Sequence, residues 1–159
     1  PVYIGGLLSY WIWLRDLNGG FYWIIGALLL TWAYDSGAYF VGRKWGRYKP
    51  WPKLSPNKTL EGVAGGLFAS TIIFLLASRI FLLTGGPTVG LGTAIGLGLT
   101  GGAVAQLGDL LESAIKRQAG MKDSGSIIPG HGGILDRFDS LLLVMPFVYF
   151  WVSWAYLNP

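Results

Sequence analysis

Uncharged, mostly apolar segments alternate with short polar ones along the whole chain. There are five such segments, at residues 1–14, 17–34, 62–78, 80–108 and 140–159. A helix of about 20 apolar residues crosses the hydrocarbon core of a bilayer, where every backbone polar group must be satisfied internally. The pattern therefore predicts an all-α, polytopic integral membrane protein with about five transmembrane helices, in which residues 1–159 form a single domain.

Composition supports a chain embedded in lipid and narrows the chemistry that it can carry. Hydrophobic residues make up 52% of the chain and charged residues only 13%, whereas a typical soluble domain has about 25% charged residues. Glycine occurs 25 times without a Gly-X-Y period, which excludes a collagen-like chain. Cysteine is absent, so any metal must be held by oxygen atoms or by His131, the single histidine.

Basic residues concentrate in two connections, one between the second and third segments and one between the fourth and fifth. They are Arg43, Lys44, Arg47, Lys49, Lys53 and Lys58 in the first, and Lys116, Arg117, Lys122 and Arg137 in the second. Lysine and arginine favour the cytoplasmic side of a membrane, so we expect both connections there and the TGGPT turn at residues 84–88 on the opposite side. A net charge of +4 is mild for a nucleic-acid binder, and no nucleic-acid partner is expected.

Glycines recur at spacings that let helices approach closely. The patterns Gly62-x-x-x-Gly66 and Gly92-x-x-x-Gly96-x-Gly98 fit small-residue packing seams. We favour tight packing inside one subunit, and a seam between the subunits of a homodimer is the alternative.

Asp35 follows the apolar run FYWIIGALLLTWAY, at or near the cytoplasmic end of a predicted helix. Ionisable residues at such a depth are costly and usually face a polar cavity or a partner. The neighbouring Ser36 and Gly37 would let a ligand approach the backbone closely. We therefore favour a binding role for Asp35 over that of an interfacial aspartate that only reaches water.

The segment KLSPNKTLEG is typical of a helix start, with Ser55 as the N-cap and Pro56 in the first helical position. Free amide donors at a helix N-terminus attract anions, and Lys58 and Thr59 add a positive charge and a hydroxyl group. The segment suits a phosphate group, although lysines that meet anionic lipid headgroups explain it equally well.

Asp109, Glu112, Ser113 and Lys116 are spaced to share one face of a helix. Two carboxylates on one face repel each other unless a cation lies between them, and ligands that are all oxygen favour a hard ion such as magnesium. The alternative is an ordinary helix end, in which Lys116 pairs with Glu112 four residues before it.

The loop that follows, KDSGSIIPGHGGILDRFDS, combines charged residues with glycines that suit close backbone approach to a ligand. Asp136 and Asp139 repeat the three-residue spacing of Asp109 and Glu112. Two acidic pairs thus flank one basic, glycine-rich loop, which predicts a metal and polyphosphate site. His131 lies between glycines, and we favour a ligand-facing role for it over a structural one.

Three motifs resemble those of the phosphatidate cytidylyltransferase family, also called CDP-diacylglycerol synthase. The longest is SAIKRQAGMKDSGSIIPGHGGILDRFD at residues 113–139, and the others are DSGAYFVGR at 35–43 and SPNKTLEG at 55–62. A signature of this length is specific. Family members commonly have Thr in place of Ser36, and they carry further membrane helices before the position of Pro1. The chain therefore resembles the C-terminal, catalytic part of a longer enzyme, with two cytoplasmic catalytic loops.

The resemblance implies transfer of a cytidylyl group from CTP to phosphatidic acid, giving CDP-diacylglycerol and pyrophosphate, with Mg²⁺ required and a second cation left open. The lipid phosphate is already an anion at neutral pH, so positioning and charge neutralisation should dominate catalysis. The implied metal ligands are Asp109, Glu112, Asp136 and Asp139. The implied catalytic residues are Lys122, His131, Asp136 and Arg137, and the implied substrate contacts are Asp35, Ser55, Lys58, Thr59, Lys116 and Arg117.

Two other functions stay open. A CTP-dependent transferase or kinase that acts on a polyprenyl lipid would need similar headgroup chemistry. A small ion transporter or channel module would explain Asp35 and the glycine-rich helices, but not the clustering of ionisable residues in two loops. The expected location is the bacterial inner (cytoplasmic) membrane with the active site facing the cytoplasm, and the expected partners are CTP, phosphatidic acid and the bilayer.

Overall fold

A computed structural model describes residues 2–52, 54–118, 120 and 135–157, and within these ranges the side chains of all but residues 2–4, 135–138 and 156–157. The regular structure in these ranges is entirely α-helical, which confirms the predicted all-α fold. The helices are α1 (Val2–Asp16), α2 (Gly20–Trp45), α3 (Leu60–Leu83), α4 (Leu91–Gln118) and α5 (Leu135–Leu157).

The helices have the length and surface of membrane-spanning segments. By length and composition, three of the helices described can cross a membrane, namely α2, α3 and α4 with 26, 24 and 28 residues. Helix α1 has 15 residues, and the apolar part of α5, Asp139–Ala155, is also shorter than these three. Large apolar side chains such as Phe68 and Trp154 lie exposed on the outside of the bundle. These features are those of a polytopic membrane protein, as predicted.

Helix α2 forms the centre of the bundle, because it packs against each of the other four helices. Helix α5 packs against both α1 and α4, and so connects these two helices. The side chains of Trp23, Leu30, Phe74, Leu97 and Met145 fill the interior between them.

Glycines let α2 and α3 come into close contact. A Cβ atom added at Gly37 would lie 2.7 Å from the carbonyl oxygen of Gly65. One added at Gly66 would lie 2.7 Å from the ring of Tyr34. The predicted seam Gly62-x-x-x-Gly66 therefore packs against α2 of the same chain, as the favoured interpretation had it.

Helix α3 begins later than the sequence pattern predicts, so the assignment of Ser55 as its N-cap is wrong. The N-cap is Thr59, whose backbone is extended and whose Oγ1 accepts a hydrogen bond from the Gly62 amide at 3.1 Å. The Ser55 carbonyl instead accepts from the Lys58 amide at 3.2 Å and closes a turn. A Ser-Pro-Asn sequence suits such a turn as well as it suits a helix start.

The basic connection between α2 and α3 is tied to the start of α3 through backbone groups. The carboxylate of Glu61 accepts hydrogen bonds from the amides of Arg47 at 3.1 Å and Tyr48 at 3.3 Å. The Leu60 amide donates to the Tyr48 carbonyl at 2.9 Å. These bonds hold the connection against the N-terminal end of α3.

At one end of the bundle, the connection between α1 and α2 meets the one between α3 and α4. The hydroxyl of Tyr22 donates to the carbonyl of Thr84 at 2.8 Å. A cavity of about 570 Å³ lies here, and Asn18, Pro87 and Ser153 contribute to its wall. The TGGPT turn thus belongs to this end of the bundle.

Candidate functional site

A second cavity, of about 360 Å³, lies at the other end of the bundle, where the ends of four helices meet. Its lining residues are Tyr34, Asp35, Ala38 and Tyr39 from α2, Asn57, Lys58, Thr59, Gly62 and Val63 at the start of α3, Gln106 and Asp109 from α4, and Asp139 and Ser140 from α5. The first basic connection thus contributes Asn57 and Lys58 to the wall, and the helices on either side of the second contribute Asp109 and Asp139.

Carboxylates from three helices line this cavity together with one ammonium group. They are those of Asp35, Asp109 and Asp139. The Nζ atom of Lys58 lies 2.5 Å from Oδ2 of Asp109 and forms an ion pair with it. Lys58 has no other hydrogen-bond acceptor among the residues described. Negative charge thus exceeds positive charge in this part of the wall, which favours binding of a further cation.

The start of α3 places Lys58 and Thr59 in the cavity wall. Three amides at the start of α3 already have acceptors, because Leu60 donates to Tyr48, and both Gly62 and Val63 donate to Thr59. Attraction of an anion here therefore depends mainly on the Lys58 charge, the Thr59 hydroxyl and the helix dipole.

Ser55 is not among the residues that line the cavity in the described part of the chain. The later start of α3 explains this, since Ser55 lies in the turn before the helix rather than at its cap.

Glu112 and Lys116 contact each other on α4. The Nζ atom of Lys116 lies 3.4 Å from Oε1 of Glu112, which is the pairing that the ordinary helix-end interpretation describes. Glu112 is buried and, in the part of the structure described, lies outside the cavity lining. Ser113 donates a long hydrogen bond of 3.5 Å to Asp109, and Arg117 is exposed in the last turn of α4.

Several predicted site residues lie outside the described residues. Lys122 and His131 lie entirely outside the described residues. Asp136 and Arg137 belong to the first turn of α5, but their side chains are not described. Within the described ranges, no three histidine or acidic side chains are close enough together to hold a metal ion. The predictions of a metal site and of catalysis by these residues therefore stay predictions.

The sequence pattern missed a buried polar pair in the cavity wall. The hydroxyl of Tyr34 donates to Oε1 of Gln106 at 2.6 Å, and both residues line the cavity. Gln106 lies three residues before Asp109, so helical spacing places both on one face of α4. A lone amide in the uncharged, glycine-rich segment 80–108 is the sequence signal that could have identified it.

Comparisons with known proteins indicate the family of the chain. The sequence profile described as "Cytidylyltransferase family" matches residues 1–155, which include all the segments that line the cavity. The chain is 49% identical over 150 residues to the phosphatidate cytidylyltransferase of Bacillus subtilis (strain 168), which covers 94% of this chain and 54% of that protein. It is 44% identical over 144 residues to that of Staphylococcus aureus (strain COL), which covers 91% of this chain and 53% of that protein.

The chain thus spans about half the length of the curated relatives it matches. The match extends over nearly the whole of the chain itself. On this evidence, the chain belongs to the cytidylyltransferase family.

Proposed function

We propose that the protein containing this chain transfers a cytidylyl group from CTP to phosphatidic acid. In this reaction an oxygen of the lipid phosphate forms a bond to the α-phosphorus of CTP. The bond from that phosphorus to the oxygen bridging to the β-phosphate breaks, and pyrophosphate leaves with the electron pair. The attacking phosphate is already ionised, so the site has to position two anions and neutralise their charge.

The observation that carries the proposal is the charged cavity of about 360 Å³ at one end of an apolar bundle. It holds Lys58 beside Asp109, with Asp35 and Asp139 in the same wall. Charged groups of both signs at the end of apolar helices suit a substrate with a polyanionic head and an apolar tail. The relatives named phosphatidate cytidylyltransferase support the same assignment.

Magnesium fits the donor set of the proposed site, because carboxylate oxygens are the ligands that this ion prefers. Asp109 and Asp139 would hold it, with Asp136 as the further ligand that the sequence pattern adds. When bound, the ion would neutralise charge on the triphosphate. Lys58 and Thr59 would bind a phosphate group next to it.

We further propose that the cavity faces the cytoplasm from a bacterial inner membrane. Lys58 of the first basic connection lines the cavity, and basic residues favour the cytoplasmic side. Tyr39 lines the cavity and is exposed on the outer surface of α2, so the cavity adjoins the surface that lipid would cover. A lipid could thus place its head in the cavity and leave its acyl chains in the bilayer.

The test uses the full-length protein in mixed micelles with Mg²⁺ and CTP labelled at either the α- or the γ-phosphate. Phosphatidic acid, a polyprenyl phosphate and a polyprenol are offered separately. We expect α-label in lipid with phosphatidic acid only, and γ-label only in pyrophosphate.

The other functions predict different results. A lipid kinase would place γ-label in the product formed from the polyprenol. A cytidylyltransferase for polyprenyl lipids would place α-label in the product formed from the polyprenyl phosphate alone. A transporter or channel would label no lipid. Asp109→Asn should lower incorporation by about 100-fold or more, as the loss of a charge-stabilising group in an active site does. Asp16→Asn, which changes an exposed aspartate at the end of α1, is the matched control.

A further inference from the structure

The pair formed by Tyr34 and Gln106 has an unused hydrogen-bond donor. The side chain of Gln106 is 7% exposed and Tyr34 is 2% exposed, so both are withdrawn from solvent. The Tyr34 hydroxyl occupies Oε1 of Gln106, while Nε2 has no hydrogen-bond partner among the residues described. A buried amide left unpaired is costly, and native structures seldom contain one without a reason.

The tyrosine fixes the direction of this donor. Because Oε1 accepts from Tyr34 across the α2–α4 contact, the two ends of the amide are no longer equivalent. Gln106 is one of the residues that line the cavity, and its buried Nε2 atom still carries its unpaired N–H groups. They can bind only an acceptor, such as a carbonyl or phosphate oxygen.

The position along α4 indicates which acceptor. Gln106 lies three residues before Asp109, which is about 4.5 Å along a helix axis. It lies on the side of the uncharged segment 80–108 and therefore deeper in the bundle than the ion pair of Asp109 and Lys58. In phosphatidic acid, the first polar groups below the phosphate, towards the acyl chains, are the ester carbonyl oxygens.

We propose that Nε2 of Gln106 donates a hydrogen bond to an acyl ester carbonyl of the lipid substrate. Tyr34 is the positioning residue that orients the amide. The inference rests on the proposed function, since it assigns the phosphate of the same lipid to the level of Lys58 and Asp109. It makes this pair a determinant of specificity for diacyl lipids over ether-linked ones.

The test compares Gln106→Leu, which keeps a similar volume without the amide, with the unchanged full-length enzyme. Binding of a fluorescent diacyl phosphatidate is measured in micelles without CTP, and KM is measured for diacyl phosphatidate, for its dialkyl ether analogue and for CTP. We expect Kd and KM for the diacyl lipid to rise by on the order of tenfold. The KM values for the ether lipid and for CTP should change by less than about twofold.

Two further variants separate this role from a structural one. Tyr34→Phe should reduce the preference for diacyl over ether lipid in the same direction, because it leaves the amide unoriented. Thr31→Val removes another buried hydroxyl of α2, one that bonds to the Ala27 carbonyl and is outside the described cavity lining, and should leave the preference unchanged. If Gln106→Leu does not fold, the preference of Tyr34→Phe for diacyl over ether lipid decides whether the amide binds the ester carbonyl.

Three results would overturn the inference. They are an unchanged Kd for the diacyl lipid, an equal loss for diacyl and ether lipids, and a rise in KM for CTP alone, which would assign the amide to the nucleotide. Failure of the proposed function is a separate result, because the unchanged enzyme would then bind phosphatidate without consuming CTP. The binding measurement would still decide the role of Gln106.

Discussion

Gly37 lies in the close contact between α2 and α3, two residues after Asp35 in the cavity wall. We predict that Gly37→Ala lowers catalytic efficiency far more than it lowers stability. The added methyl group would meet Ala69 and Gly65 of α3, and Gly37 is not among the described residues that line the cavity. The effect of the substitution would come from the separation of two helices that each carry part of the site.

The magnitude follows from the contacts of that methyl group. It would lie 2.6 Å from Cβ of Ala69 and 2.7 Å from the Gly65 carbonyl oxygen, whereas carbon atoms in ordinary contact are about 3.5–4.0 Å apart. The helices must therefore separate by roughly 1 Å. Overpacking costs about 1–3 kcal/mol, and alanine regains about 1 kcal/mol of helix propensity over glycine. The net loss of stability is then about 0–2 kcal/mol.

The same displacement moves Asp35 relative to Lys58, which precedes α3 and also lines the cavity. A misplacement of about 1 Å in an active site can cost on the order of 100-fold in rate. We expect kcat/KM for CTP to fall by about that factor, and the Tm in detergent to fall by only a few degrees. Label transfer from CTP and thermal unfolding of the same preparation measure the two quantities.

Gly92→Ala is the matched control, because a Cβ atom there meets no described atom within 4 Å. Both kcat/KM and Tm should stay at the level of the unchanged enzyme. The reasoning is refuted if Gly37→Ala keeps full kcat/KM, or if Gly92→Ala loses as much activity as Gly37→Ala does.

Three further predictions address catalysis, topology and the metal. Lys122→Ala and His131→Ala should each lower kcat by on the order of 100-fold with a smaller effect on the KM for CTP, and a raised KM with unchanged kcat would assign the residue to binding alone. Single cysteines at Lys49 and Thr84, in a chain without native cysteine, should react with an impermeant thiol reagent from opposite faces of the membrane, so labelling from one face contradicts the span assignment. Removal of divalent cations with EDTA should abolish label transfer and added Mg²⁺ should restore it, whereas activity that survives EDTA excludes a required metal.

Charge and hydropathy located the helices of this chain but not all of their ends. The uncharged segment 17–34 predicted a helix that in the structure continues to Trp45. Arg43 and Lys44 extend the helix because cations are favourable in its last turn, where they meet the negative end of the dipole. The absence of charge marks the part of a helix that lipid can cover, which is shorter than the helix itself.

Local spacing was a weaker guide to the site than the distribution of charge between connections. The acidic clusters in separate segments predicted a metal and polyphosphate site, which stays a prediction, and Asp109 and Asp139 line one cavity in the structure. The prediction of an N-cap at Ser55 was wrong because a turn and a helix start share the same residue preferences. Glu112 pairs with Lys116, which is the alternative to metal binding in the sequence analysis. Only the folded structure shows which neighbour each side chain contacts.

The hydrogen-bond partner of Gln106 could not be assigned from local sequence, because it lies 72 residues away on another helix. The spacing from Asp109 gives the helix face of Gln106 but not the direction of its amide. That direction depends on the contact between α2 and α4, which no periodicity in either helix encodes.

The place of α5 at the end of this chain has a consequence for biosynthesis. As the polypeptide emerges from the ribosome, Asp35, Lys58 and Asp109 are made first, while the wall that carries Asp139 does not yet exist. Helix α5 also packs against α1, which otherwise contacts only α2 among the described helices. A nascent chain that stops after α4 would therefore lack the wall that carries Asp139, and the cavity would be complete only when α5 has been inserted beside α1, α2 and α4.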